Sequence, residues 1–334
     1  MLFRSVRGQH KSRAFIMIIF ITAVAFVLPY IIPSFYLNLL IMTYIAAAAS
    51  MAWNIVGGFA GQFSLGHSVF FGLGAYSSTI LLADYGLTPW IGMFVGVFLN
   101  VVLCFIIGYP TFKLKGHYFA LATIGLVGIF FNLAKYFKGI THGSIGIPMI
   151  DNPGFLDLLC KSKVPFYYIF LVLMLIILLV SHLIRKSKLG YYLVAIREDE
   201  DTAVALGINS TSYKMIALVV SVGFTSLIGS LYACYIQYID PTTVFDLMKG
   251  IYWALLALVG GAGTVSGPLV GAFLVEPFNV LIKNIIPGHY GFASNIIYGL
   301  LFVFLAITVP EGIVGWFKKK LKNKVLRRLV KCIY

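Results

Sequence analysis

The stretch Trp53-Asn54-Ile55-Val56-Gly57-Gly58-Phe59-Ala60-Gly61-Gln62-Phe63-Ser64-Leu65-Gly66-His67 decides the fold. Its glycines Gly57, Gly58, Gly61 and Gly66 weaken any helix, yet its other residues are too apolar for a loop in water. Irregular backbone of this composition must be buried in protein or line a cavity, because unpaired peptide groups are costly in apolar surroundings. On either side lie apolar runs near 36–56 and 65–82, each of about the twenty residues that span a bilayer.

Working outward from this break, the 334 residues hold ten candidate spans, near 14–33, 36–56, 65–82, 90–109, 117–136, 166–184, 213–236, 249–263, 267–283 and 292–310. With 60% hydrophobic residues, 11% charged residues and a mean hydropathy of +0.95, a soluble globule with one core is excluded. The expected fold is all-α, a polytopic membrane bundle of about ten helices. The first span follows Arg4, Arg7, Lys11 and Arg13, as a signal peptide would, but its apolar run is too long. No small-residue cleavage site follows Pro33-Ser34-Phe35-Tyr36, so it is expected to remain as a helix. The organisation is then a basic segment 1–13, a transmembrane domain 14–317 with a polar loop 185–212, and a basic tail 318–334.

Lysines and arginines alternate between the two sides as the positive-inside rule demands. One side collects Lys113, Lys115, Arg185, Lys186, Lys188, Arg197, Lys214 and both basic termini; the other holds only Lys135, Lys138, Lys161, Lys163, Lys249 and Lys283. Both termini are therefore expected in the cytoplasm, and the net charge of +14 reflects topology plus attraction to anionic membrane lipid, with no need for nucleic acid. In the tail, Phe317, Leu321, Val325 and Leu329 recur every four residues beside Trp316, as in a helix lying in the interface. Cys104, Cys160, Cys234 and Cys332 have no paired spacing, so neither a disulfide framework nor a metal site is indicated. Asn209-Ser210-Thr211 fits a glycosylation acceptor but falls on the cytoplasmic side, which makes it a chance match.

A second glycine-rich break, Gly260-Gly261-Ala262-Gly263-Thr264-Val265-Ser266-Gly267-Pro268, lies on the same side of the membrane as the first. Paired interruptions in two halves of a chain point to a translocation path in transporters. The pairs Gly57/Gly61 and Gly92/Gly96 and the series Gly263, Gly267 and Gly271 also have the spacing that lets helices pack closely. Candidates for lining a path are Asn54, Gln62, Ser64, His67, Thr123 and Glu276. Glu276 falls near the middle of a span, where an acid is either functional or satisfied by neighbouring helices; Lys283 is about 10 Å further along the axis, too far for a direct pair. A phosphate-binding Gly-x-x-x-x-Gly-Lys-Ser/Thr loop, a His-Glu-x-x-His pair and a Gly-x-Ser-x-Gly turn are all absent from the sequence, so no catalytic constellation argues for an enzyme.

The run Arg197-Glu198-Asp199-Glu200-Asp201 places four of the eleven acidic residues in one hydrophilic island between oily flanks. Thr202-Ala203-Val204-Ala205-Leu206-Gly207 follows it, helix formers closed by the residue that most readily turns left-handed. A short helix of roughly nine residues is expected, its acids at the positive end of the dipole, Gly207 at its stop and Ile208 packed back on the last turn.

Four segments resemble the membrane-spanning permease subunits of ABC importers for branched-chain amino acids, of the LivM type. They are Gly57–His67 with Phe70-Phe71-Gly72-Leu73-Gly74-Ala75-Tyr76, then Leu114-Lys115-Gly116-His117-Tyr118-Phe119-Ala120-Leu121-Ala122-Thr123, then Ala195–Glu200 with Ala205–Asn209, and Leu258–Thr264 with Gly267-Pro268 and Gly271-Ala272. Two positions depart from the family pattern: His142 stands where a second glycine is usual after Thr141, and Glu311 follows Pro310 where arginine is usual. The resemblance implies a chain of the bacterial inner membrane that carries the path but binds no cofactor, with ATP and magnesium held by two separate ATPase subunits. A second homologous permease subunit and an extracytoplasmic substrate-binding protein would complete the machine. Arg197, Glu198, Asp199, Ala203, Leu206 and Gly207 would then form the ATPase-coupling element, with the contact surface toward its Ala203–Gly207 end. The same machine could instead import urea, a short amide or another amino acid, and an ion-coupled carrier using Glu276 is the competing class.

Overall fold

The computed structural model describes residues 27–114, 116–149, 158 and 162–285, and within 296–320 the positions 296, 299, 300, 302, 303, 307, 308, 312–317, 319 and 320. Most of the expected spans 14–33 and 292–310 lies outside these residues, as do most of the tail and the Lys283 side chain. Among the described residues the helices with defined bounds are, in chain order, α1 Ser34–Asn54, α2 His67–Ala83, α3 Pro89–Thr111, α4 His117–Tyr136, α5 Lys138–Thr141, α6 Val164–Lys186, α7 Lys188–Glu198, α8 Glu200–Ala205, α9 Ser210–Ile236, α10 Pro241–Val244, α11 Leu247–Gly260 and α12 Gly267–Ile285. Among the described residues six helical stretches are long and apolar enough to cross a membrane, and α2 and α12 are shorter apolar helices. These eight coincide with the eight expected spans between 36 and 283.

Helix α1 is the axis of the bundle. Its middle, Ala46-Ala47-Ala48-Ala49, is buried on every side, because alanines present no polar group and let neighbours approach from all directions. It packs against α6, α9, α11 and α12, while α2, α3 and α9 form a tight group of three beside it. Gly74 and Gly229 are what bring α2 and α9 together: a Cβ on Gly229 would stand 2.0 Å from the Phe71 carbonyl oxygen, and one on Gly74 2.2 Å from that of Ser226. Asn100 of α3 locks the group by donating from Nδ2 to the Phe70 carbonyl at 3.0 Å and to Ser226 Oγ at 2.8 Å. Gly92 and Gly96 do lie at the α2–α3 contact, as their spacing suggests, whereas Gly61 is outside any helix, so the Gly57/Gly61 pair is no packing face.

Two features depart from the reading of the sequence. Helix α1 does not break at Gly57 and Gly58; it widens into a π turn over Ile55–Phe59, and only 60–66 is irregular. The wider turn accommodates Gly57 directly beneath the Trp53 indole, where a Cβ would be 2.4 Å from the ring. At the far end of the bundle, Ile147–Pro148 and Tyr238–Ile239 pair as a two-residue antiparallel ladder, β1 and β2, joining the loop before α6 to the end of α9. Nearby, His142 adopts φ +58, a left-handed position that suits glycine, and its Nε2 lies 3.4 Å from Asp84 Oδ1.

Replacing Gly229 with alanine should wedge α2 from α9 and cost about 1–3 kcal/mol, as overpacking does. We expect a lower thermal midpoint for the detergent-solubilised Gly229→Ala chain, while Gly125→Ala, with open space around its Cβ position, leaves the midpoint unchanged.

Candidate functional site

The two glycine-rich segments meet. Asn54, on the last turn of α1, accepts from the Gly263 N–H at 2.9 Å through Oδ1 and donates from Nδ2 to the Thr264 carbonyl at 2.9 Å. One buried amide therefore satisfies a donor and an acceptor of the α11–α12 connection, two groups that would otherwise lie unpaired in an apolar bundle. That connection is held open by its own residues as well: Thr264 Oγ1 donates to the Gly261 carbonyl at 2.7 Å and accepts from the Gly267 N–H at 3.0 Å.

Arg197 completes the junction from the polar loop. Its Nη1 donates to the Gly58 carbonyl at 3.1 Å, so a side chain 139 positions away caps the C-terminal end of the α1 π turn. A cation at this end also complements the helix dipole. The arginine stem passes over Gly61, where a Cβ would be 2.7 Å from Cγ, and its head lies over Gly263, where a Cβ would be 2.3 Å from Nη1. Gly263 sits at φ +77 and Gly61 at φ +70, so both the backbone and the arginine require glycine there. Arg197 Nε also donates to Glu198 Oε1 at 3.1 Å, which orients the guanidinium.

The acidic run is shared between two helices. Glu198 ends α7; Asp199 is extended at φ −156 and caps α8, accepting the Thr202 N–H at 2.9 Å; only Glu200 and Asp201 lie in the first turn of α8. The expected single helix of roughly nine residues is thus one of six, because the Asp199 carboxylate takes a backbone donor and breaks the chain direction. Its stop agrees with expectation. Gly207 is left-handed at φ +87, and the Ile208 N–H returns to the Ala203 carbonyl at 3.1 Å.

Glu200 fixes α8 to α9. Lys214 Nζ lies 2.6 Å from both carboxylate oxygens, and Ser210 Oγ donates to Oε1. The Lys214 side chain is 1% exposed, so this ammonium has exchanged water for Glu200. Sequence reasoning counted Lys214 only as a topology charge; a lysine one turn inside an apolar span, fourteen residues after an acid, was the available signal. Ala203 faces inward at 2% exposure, whereas Val204 and Leu206 point outward at 53% and 78%. The exposed end of the segment is therefore Val204–Leu206, with Ala203 as its seat.

The expected path residues fall in two places. Ser64, His67 and Thr123 are buried near the Arg197 end and engage one another's neighbourhoods: Trp53 Nε1 donates to the Ser64 carbonyl at 2.6 Å, and Leu65 N donates to Thr123 Oγ1 at 3.0 Å. Ser221 Oγ donates its proton to the Ala52 carbonyl at 2.6 Å, so it accepts from His67 Nε2 at 2.9 Å, and Nδ1 at 3.1 Å takes the Ser64 proton. His67 is thus a buried hydrogen-bonding post between α1, α2 and α9. Gln62 is partly exposed beside it.

Glu276 stands apart, on a cavity of about 420 Å³ lined by residues of α1, α2, α9, α11 and α12. Its Oε2 accepts from Tyr252 OH and, at 3.2 Å, from Asn279 Nδ2, which also reaches Tyr252 OH at 3.1 Å. Lys249 enters the same cavity, its Nζ 3.4 Å from Tyr232 OH and 4.5 Å above the Tyr232 ring. Lys249, Tyr252 and Asn279 were missed from sequence, Lys249 being counted only as a charge that sets orientation. No group of three or more His, Cys, Asp or Glu able to hold a metal occurs among the described residues.

A family model described as branched-chain amino acid transport system, permease component, matches residues 35–306. Among curated proteins, the chain is similar to the high-affinity branched-chain amino acid transport system permease protein LivM of Salmonella typhimurium, 25% identical over 94% of this chain and 77% of that one. LivM of Escherichia coli is 24% identical over the same shares, and LivH of Salmonella typhimurium 21% identical over 80% of this chain and 91% of its own. No solved structure matches.

Arg197→Gln and Gly263→Ala should each lower the thermal midpoint of the solubilised chain, the first by losing a charge-assisted bond worth about 1.5–3 kcal/mol. Because both changes remove the same contact, the double variant should lose little more than the worse single one. Additive losses would show that the arginine and the glycine act separately.

Proposed function

The chain belongs to the family of branched-chain amino acid transport system permease components, and from that membership we propose that it forms half of the translocation path of an ATP-driven importer for leucine, isoleucine and valine. In this reading a second homologous permease subunit completes the path, two ATPase subunits with their ATP and magnesium sit against the polar loop, and an extracytoplasmic binding protein delivers the substrate. The basic end of the bundle and both termini face the cytoplasm of a bacterial inner membrane, and about ten helices cross it, as the charge pattern of the sequence requires. The chain has no catalytic role of its own; hydrolysis belongs to the ATPase subunits.

The observation that carries the proposal is the Arg197 junction. Leu206 is exposed at the tip of α8, α8 is held to α9 through Glu200 and Lys214, and Arg197 ties the same segment to Gly58 and Gly263. Movement of an ATPase against Leu206 therefore bears on the ends of α1 and α11 and the start of α12 together. Those three helices also wall the cavity that contains Glu276. Displacing their ends changes the access to that cavity, the bistable element an alternating-access cycle needs.

A cysteine at Leu206 should cross-link to a co-expressed ATPase subunit, and Leu206→Asp should abolish uptake while the permease stays in the membrane at its normal level. Uptake of leucine into vesicles bearing the full complex should require ATP and persist when the proton gradient is collapsed. Loss of uptake with the gradient would transfer the protein to the ion-coupled carriers, and normal uptake by Leu206→Asp would remove α8 from the coupling route.

A further inference from the structure

Along the outer half of α4 runs a trough of about 960 Å³. Gly125 and Gly128 form its floor, and a Cβ on either would meet nothing within 4 Å. Glycine is a poor helix former, yet among the described residues no neighbour fills the space these two leave open. The exposed side chains of Ile129 and Leu133 make its walls apolar. Asn132 turns its amide back on its own helix, donating from Nδ2 to the Gly128 carbonyl at 2.8 Å.

The trough ends at Lys135, Tyr136 and Lys138. These two lysines lie on the side of the membrane where the chain carries few, so the positive-inside pattern does not account for them. The described acids of that side are engaged by other groups: Asp84 lies 3.4 Å from His142, Asp240 accepts the Thr243 N–H at 3.2 Å and Asp246 the Met248 N–H at 2.9 Å. Lys135 Nζ rests 4.1 Å from the centre of the Phe131 ring, a contact weaker than that with a phosphate oxygen. From Gly125 to Tyr136 the helix rises about 16 Å, half of a hydrocarbon core about 30 Å thick.

We propose that the trough binds an anionic phospholipid of the outer leaflet, its phosphodiester on Lys135 and Lys138 and one acyl chain laid along Gly125 and Gly128. Charge at one end and a length of one leaflet select this occupant. A helix of another subunit, crossing the whole membrane, would match neither. Tyr136 stands at headgroup level, where amphipathic rings collect. Occupancy would also steady α4, which in turn holds the irregular stretch after α1, since Thr123 Oγ1 accepts the Leu65 N–H at 3.0 Å. The inference needs the membrane placement of α4 and its orientation, and does not depend on the importer reading.

The test uses the full chain in detergent, with native mass spectrometry against phosphatidylglycerol and phosphatidylcholine of identical acyl chains. Phosphatidylglycerol should be retained about tenfold better, the factor expected for one charge-assisted contact, and the double variant Lys135→Gln, Lys138→Gln should lose the preference. The same lipid should raise the thermal midpoint of the unaltered chain but not that of the double variant, whose midpoint without lipid is unchanged. Gly128→Leu, which fills the trough without a clash at Cβ, should lower retention of phosphatidylglycerol, and glycerol 3-phosphate, the headgroup without chains, should not displace it. Equal retention of the two lipids, a preference that survives in the double variant, or displacement by glycerol 3-phosphate overturns the proposal. So does a photoreactive residue at Ile129 that, in the complete complex, cross-links to a second permease subunit in place of lipid, which would make the trough a subunit interface.

Discussion

A helix that ends inside an apolar bundle leaves backbone donors and acceptors that no water can reach, and this constraint organises the whole of one end of the molecule. The stretch after α1 and the α11–α12 connection are both irregular and partly buried, and Asn54 at the end of α1 bonds the second. The Gly58 carbonyl is met from the polar loop by Arg197. Each partner brings its own requirement. Asn54 and Arg197 can reach the backbone only where it carries no Cβ, so Gly58, Gly61 and Gly263 follow from the hydrogen bonds rather than from flexibility. A carbonyl and an arginine thereby join the soluble-facing loop to three helices of the bundle.

The helices were legible in the sequence because about twenty apolar residues have few other uses, and the expected spans between 36 and 283 agree with the observed helices. The Gly207 stop was legible too, since left-handed closure has a strong residue preference. What could not be read were contacts between residues far apart in sequence. Arg197 was grouped with its acidic neighbours, and besides Glu198 it bonds a carbonyl 139 positions earlier. The split of the acidic run at Asp199 depends on whether an aspartate caps or continues a helix, a choice that composition leaves open. The π turn at Ile55–Phe59 followed the same rule: Gly57 and Gly58 signalled a break, but the surrounding helices and the Trp53 indole stabilise a widened helix instead.

Ionic groups inside the bundle are informative because each must be compensated locally. Lys214 is compensated by Glu200, a part-buried pair that attaches α8 to α9. Arg197 is only partly desolvated and is shared between Glu198 and a backbone carbonyl, which suits a contact that can shift. Glu276 accepts from Tyr252 and Asn279, and Lys249 lies over the Tyr232 ring beside its hydroxyl.

In the proposed coupling, these attachments decide how force would cross the bundle. If α8 were loosely attached, a push on Leu206 would be absorbed by the six-residue helix itself; with Glu200 clamped by Lys214 and the far end closed at Gly207, α8 is held at both ends. The weakest link downstream is then the Arg197–Gly58 contact, together with the glycine connections it covers. From there the route runs inside α1, whose residues from Met42 to Phe59 form one continuous helical segment that touches both the junction and the cavity wall. A change at one end of α1 cannot be relieved midway, because its alanine stretch is packed on all sides and close-packed interiors have little room to deform. In the proposed coupling, a displacement begun at Leu206 would therefore be carried by α1 to the wall of that cavity.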